Sequence, residues 1–255
     1  FAENVPISCI DLDGLERYFA ADGSYLGQVG TSNEIRVVSS KEVFDKNRNN
    51  QKILIKKSEK LSKQSDDIKS KVFTTIYKRE IQGTDKKIDV EHTDSDQGGQ
   101  APGGEITINA DVKYGLIDDY WDLVSLLFHE EGHRKAGLAG DKSFGTTWYA
   151  HEKISYSVMA NKTLWNKMTP NGRKFHLQVY RGNYVKPVLS KIREIAANTN
   201  SVEELEKDKR YQHYLKQYNK VLNKYIAAGG DSSGLEWNPI KFFEGKNNAP
   251  KIDDK

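Results

Sequence analysis

The stretch Asp118–Ala136, DDYWDLVSLLFHEEGHRKA, constrains the fold more than any other part of the chain. Asp118, Asp119 and Asp122 supply capping and negative charge at its start, and Gly137 and Gly140 stop it, so it reads as one helix. Leu123, Val124 and Leu127 fall on one side and anchor that helix to a core. On the other side lies His129-Glu130-Glu131-Gly132-His133, which matches H-E-x-x-H. Residues four apart on a helix are about 40° apart around its axis. The two imidazoles are therefore expected to share one metal ion. Glu130 sits on the neighbouring edge, where it takes a proton from metal-bound water without being a ligand. Glu131 falls toward the apolar side, and an exposed edge position is expected for it.

The remaining periodicities divide the chain. Residues 9–40 alternate like strands around an Asp22-Gly23 turn, with Ile35–Val38 as a β-branched run. Residues 41–80 are Lys-rich with spaced apolar positions and read as helix with a solvated basic face. Residues 91–104 have the composition of a loop, and Glu105–Asn109 alternates like a short strand. Thr147–Ala160 reads as a second helix. Two long helical stretches follow, 171–197 with a kink at Pro187 and 201–227 closed by Gly229-Gly230. The expected class is α+β, a small β-rich N-terminal module over 1–40 followed by a mostly helical domain over 41–255.

The single cysteine, Cys9, excludes a disulfide framework and a Cys-based zinc site, so a metal would need His and carboxylate. The net charge of +3 conceals segregation: residues 81–131 hold 3 basic against 12 acidic side chains, and 132–255 hold 22 against 12. That distribution argues against a uniformly basic surface for nucleic acid, and it predicts that the two signs face each other across the site. No apolar run approaches the ~18 residues that span a membrane, so membrane insertion is not expected. The chain begins at Phe1 without a signal peptide, and we read it as a piece of something longer.

A catalytic zinc takes three protein ligands and keeps a fourth position for water. The third ligand is expected to be Glu152, on the second helix after the glycines at 137, 140 and 145; its neighbour His151 points about 100° away and is the rival. The resulting H-E-x-x-H-x18-E resembles the gluzincins, the zinc metallopeptidase group that includes thermolysin-like proteases and zinc aminopeptidases. The resemblance covers about 129–156 and implies a zincin-like fold, one catalytic Zn2+ held by His129, His133 and Glu152, and Glu130 as general base in peptide-bond hydrolysis. The metzincin extension fails, with Ala136 and Ala139 where a glycine and a ligand are needed. The aspzincin pattern fails at Thr147-Trp148. Tyr156 stands where thermolysin-like members carry an acidic residue that orients a metal-binding histidine. His176, Tyr180 and Tyr184 are the candidates for stabilising the oxyanion. Ile106–Asn109 is expected as the edge strand along which a peptide lies, and endo- and exopeptidase action stay open.

Residues 9–40 resemble the junction at which the core of bacterial Rhs-type polymorphic toxins gives way to a C-terminal effector domain. That likeness implies a secreted toxin or effector delivered as part of a larger bacterial protein, a protein or peptide substrate, and an immunity protein that blocks the site. Two alternatives from other classes are a binding module with a structural zinc site and a nucleic-acid binder using the basic C-terminal helices.

Overall fold

The computed structural model describes residues 16–30, 32–81, 86–93, 98–101, 105–136 and 146–247. Cys9, the first part of the N-terminal module and the glycine-rich turn 137–145 lie outside the described residues. The chain divides into two units, residues 1–176 and 177–255.

The first unit opens with β1 (Glu16–Ala20), β2 (Tyr25–Val29) and β3 (Ile35–Val38). β1 and β2 form the antiparallel hairpin expected at Asp22-Gly23. Gly23 has φ +85, and the Asp22 carboxylate accepts from the Ser24 amide and hydroxyl, which fixes the turn. Two short helices follow, α1 (Lys41–Asn47) and α2 (Gln51–Lys56), then β4 (Ser58–Lys60) and α3 (Asp66–Ile76). The Lys-rich stretch is thus broken by a strand, which pairs antiparallel with β3. The first sheet runs β2-β1-β3-β4, with β1 parallel to β3. The N-terminal strands are therefore completed by a residue run outside 1–40. Tyr18, Val38, Phe44 and Leu54 form one core beneath the sheet.

A π turn, Tyr77–Ile81, ends α3 and leads to the second sheet. Its strands are β5 (Ile88–Glu91), β6 (Gly99–Gln100) and β7 (Ile106–Asn109), in the order β5-β7-β6, with β5 parallel and β6 antiparallel to β7. The Ile106–Asn109 strand is central, not an edge: both of its sides carry ladder hydrogen bonds, so no backbone is left there for a peptide to pair with.

The long helix is α4 (Tyr120–Ala136). Every residue from Tyr120 to Leu127 is buried, because both the second sheet and the helices that follow pack around its first half. Of the three aspartates at its start only Asp119 caps it, accepting from the Trp121 and Asp122 amides. Asp118 turns away to accept from the Ser62 amide and hydroxyl, and buried Asp122 accepts from the amide and hydroxyl of Thr169. The Arg17 guanidinium lies 3.9 Å from the Tyr120 ring centroid and joins the first sheet to the start of α4. After α4 come α5 (Thr146–Ala160), α6 (Lys162–Lys167) and α7 (Pro170–Tyr180), the last of which carries the boundary between the units.

In the second unit a π turn, Arg181–Val185, precedes α8 (Lys186–Ala197). This is where Pro187 predicts a kink: its ring displaces the carbonyl four residues back and its missing N–H removes a bond. Helix α9 (Val202–Lys207) and α10 (Lys209–Ala227) are separated by Asp208, whose carboxylate caps α10, and α11 (Pro239–Asn247) closes the described chain. Tyr211, Tyr218 and Tyr225, seven apart, are buried on one stripe of α10 packed against α8.

The α+β class, with a β-rich N-terminal part and a helical C-terminal part, is the observed one. The expected zincin-like character is not. A zincin-like active helix is defined by the metal it presents, and among the described residues no group of three or more His, Cys, Asp or Glu side chains is placed to hold a metal ion.

Candidate functional site

Helix α4 presents His129, Glu130 and His133, α5 presents His151, Glu152 and Ser155, and the middle of α7 presents His176. The two long helices approach closely because of a glycine: a Cβ at Gly132 would stand 2.7 Å from Ile154 Cγ2. Glu130, His151, Glu152, Ser155 and His176 are buried, and the two α4 imidazoles are half-buried. Gly99 of β6 lies over Glu130, where a Cβ would be 3.1 Å from Cγ of the carboxylate side chain and 2.5 Å from the Thr107 carbonyl oxygen.

The histidines form a chain of ring contacts. His129 and His133 centroids are 4.6 Å apart, His133 and His151 4.8 Å, and His129 and His176 6.3 Å. Four of the six histidines of the chain are gathered here. Their closest approach is Nε2 to Nε2 between His129 and His133, at 2.9 Å, a hydrogen bond in which one ring donates and the other accepts. The Ser125 hydroxyl lies 2.6 Å from the Asp122 carbonyl oxygen and 2.8 Å from His176 Nε2, which holds the His176 ring in place. Burial pushes this imidazole down to about 3, which keeps it neutral.

These distances are at odds with the zinc centre expected on His129, His133 and Glu152. A tetrahedral ion with nitrogen ligands at about 2.0–2.1 Å separates them by about 3.3 Å. The pair is closer than that and is joined by its own hydrogen bond, and no described third group completes a ligand set. The expected Zn2+ cofactor is therefore withdrawn. With it go the zinc metallopeptidase activity, hydrolysis by metal-bound water, and the alternative of a structural zinc module, since each requires the ion. The protein or peptide substrate and the immunity protein followed from peptidase activity and are withdrawn too. The nucleic-acid alternative also lacks support: Lys191, Lys207 and Arg210 of these helices are each paired with a carboxylate, Glu194, Glu203 and Asp208.

Helix α4 contains a second polar network on its other flank. Glu131 is buried rather than at an exposed edge. Its carboxylate accepts from Tyr77 Oη at 2.6 Å and from Arg134 Nε and Nη2 at 2.6 and 2.7 Å, with Lys135 Nζ 3.3 Å away. Burial pushes the carboxyl up, but the hydrogen bonds and charge of Arg134, with Tyr77 and Lys135, override it and hold the group down to about 2. Burial and the Glu131 carboxylate push the Tyr77 hydroxyl up to about 12. At the charge boundary 131/132, Glu131 is paired with Arg134 and Lys135 within one helical turn.

Sequence reasoning placed His129, Glu130 and His133 on one helix and Glu152 on the next, and the structure places them there. It discounted His151, whose ring packs on His133, and it gave no role to Ser125 or Tyr77. Tyr180 and Tyr184 belong to the second unit, where their rings lie 5.2 Å apart. Tyr156 is half-buried on α5.

Compared with known protein families, curated proteins and solved structures, the chain matches none. The resemblances to gluzincins and to the Rhs-type junction therefore find no support in relatives. A short motif on a helix and a hairpin of common turn chemistry arise on unrelated folds. No described helix is long and apolar enough to cross a membrane.

Proposed function

We propose that the imidazole and carboxylate cluster of α4, α5 and the middle of α7 is an acid–base site that moves protons on a small polar substrate. The observation that carries this reading is the 2.9 Å Nε2 to Nε2 contact between His129 and His133. Two imidazoles so joined hold a proton between them, and imidazole is the side chain whose ordinary range spans neutral pH. In this reading Glu130 is the catalytic carboxylate, buried beneath β6, and Glu152 and His151 form the wall on α5. His176, neutral and fixed by Ser125, orients the His129 side of the pair.

The test is turnover of a panel of esters, amides, phosphoesters and lactones by wild type, Glu130→Gln and His133→Gln, each with and without a metal chelator. The expected outcome is turnover in wild type that survives chelation and falls by at least about 100-fold in either variant. Turnover retained in both variants, or abolished by chelation, refutes the reading. A secreted or delivered location is part of this proposal and is checked by fractionating the source culture.

A further inference from the structure

His92 follows β5 and is about half exposed, with 47% of its side chain accessible. Its two ring nitrogens face carboxylates on different elements. Nε2 is 3.0 Å from both Oδ1 and Oδ2 of Asp66, the first residue of α3, and Nδ1 is 2.7 Å from Oδ2 of Asp111, in the turn after β7. A neutral imidazole has one N–H and one lone pair, so in this position it would aim the lone pair at a carboxylate oxygen. Only the imidazolium donates on both sides. Lys69 lies 3.2 Å from Asp66, Asp67 is paired with Lys71, and Glu91 accepts from Gln100, so among the described residues the carboxylates facing the ring are those of Asp66 and Asp111.

The surroundings restrict what the ring can move. Buried Asn109 accepts from the Thr93 and Asp111 amides and donates to the Thr93 carbonyl, which holds the backbone beside His92 and Asp111 whatever the charge of the ring. Helix α3 has two other ties to β5: Ser70 Oγ donates to the Ile88 carbonyl, and Thr74 Oγ1 accepts from the Ile88 amide. These lie one and two turns beyond Asp66. Loss of the His92 bridge thus frees the first turn of α3 without undocking the helix.

We propose that His92 is a proton-operated strut, closed as the imidazolium between Asp66 and Asp111 and open as the neutral ring, which sets the order of the first turn of α3. The two carboxylates raise the ring above its ordinary 6.5. The bridge is therefore complete below pH 6.5 and is lost as pH rises through the raised value.

The experiment is a nuclear magnetic resonance titration of the His92 ring in the full chain, with amide exchange at Lys69 and Ser70 measured from pH 5.5 to 9 and corrected for intrinsic exchange rates. The expected result is a ring that titrates above 6.5 and amides that exchange about two- to five-fold faster once it is neutral. In Asp111→Asn the ring should titrate closer to 6.5, and in His92→Gln the pH dependence of exchange should vanish. A wild-type ring titrating at or below 6.5, or the same pH-dependent exchange in His92→Gln, overturns the proposal.

Discussion

Replacing Asp122 with asparagine is expected to stabilise the protein above neutral pH and to leave it no more stable at pH 4. Asp122 is 2% exposed, and its carboxylate is enclosed by Thr169 and by Gly172, where a Cβ would stand 2.0 Å from Oδ1. Burial, reinforced by the charge of Asp119, pushes Asp122 up from 3.8 to about 7, against the opposing hydrogen bonds from Thr169. Asp119 is itself pushed up to about 6 by burial. The folded protein therefore holds a proton that the unfolded chain releases between about pH 4 and 7, so stability falls across that window and levels off above it. The gap between 3.8 and about 7 corresponds to roughly 4 kcal/mol at its limit. Asparagine keeps the acceptor for the Thr169 amide and turns the second oxygen into a donor toward Thr169 Oγ1. That oxygen already accepts from the Gly172 amide, so about 1 kcal/mol of hydrogen bonding is lost. The net expectation is a gain of about 2–3 kcal/mol at pH 8 and a loss of up to about 1 kcal/mol at pH 4. Urea unfolding followed by tryptophan fluorescence, repeated from pH 4 to 9, measures both. Parallel pH profiles for wild type and Asp122→Asn, or a variant less stable at pH 8, would refute the reasoning.

Three further substitutions probe the supports of α4 and of the second unit. Gly132→Ala places a methyl 2.7 Å from Ile154 Cγ2 and should cost about 1–3 kcal/mol in chemical denaturation, with part recovered in the double variant carrying Ile154→Ala; additive losses would show that the helices do not meet there. Glu131→Gln removes the negative charge and one of the two acceptor oxygens that Tyr77 and Arg134 share, and a loss of about 1–3 kcal/mol is expected at pH 7. Because the folded carboxyl is held near 2, this stabilisation exists above the unfolded value and is lost as pH falls through about 2, so the two proteins should converge in acid. Asp208→Ala removes the cap that accepts from the Arg210 and Tyr211 amides and should lower helicity and stability of the second unit by about 0.5–2 kcal/mol, read by far-ultraviolet circular dichroism on heating.

What the sequence by itself determined is what depends on neighbours within a few residues. The Asp22-Gly23 hairpin follows from a side-chain acceptor and a glycine at positive φ. The bounds of α4 and α5 and the disruption before Pro187 follow from capping, periodicity and a missing N–H, whereas 201–227, expected as one helix, is broken at Asp208. The three-residue β4 and two-residue β6 were not legible, because strands this short exist only through the partners they pair with. Placing His129 and His133 on one helical face was equally local. Whether their nitrogens share an ion or a proton turns on a few tenths of an ångström in their separation and on which further groups reach them, and spacing along the chain fixes neither. Long-range packing turned Ile106–Asn109 into a central strand, brought the ring of His151 onto His133, and buried Glu131 against Tyr77, 54 residues earlier in the chain. Spacing along the chain specifies which side chains share a face. Only the tertiary structure decides what stands opposite that face, because burial and partner distance depend on residues far away in sequence.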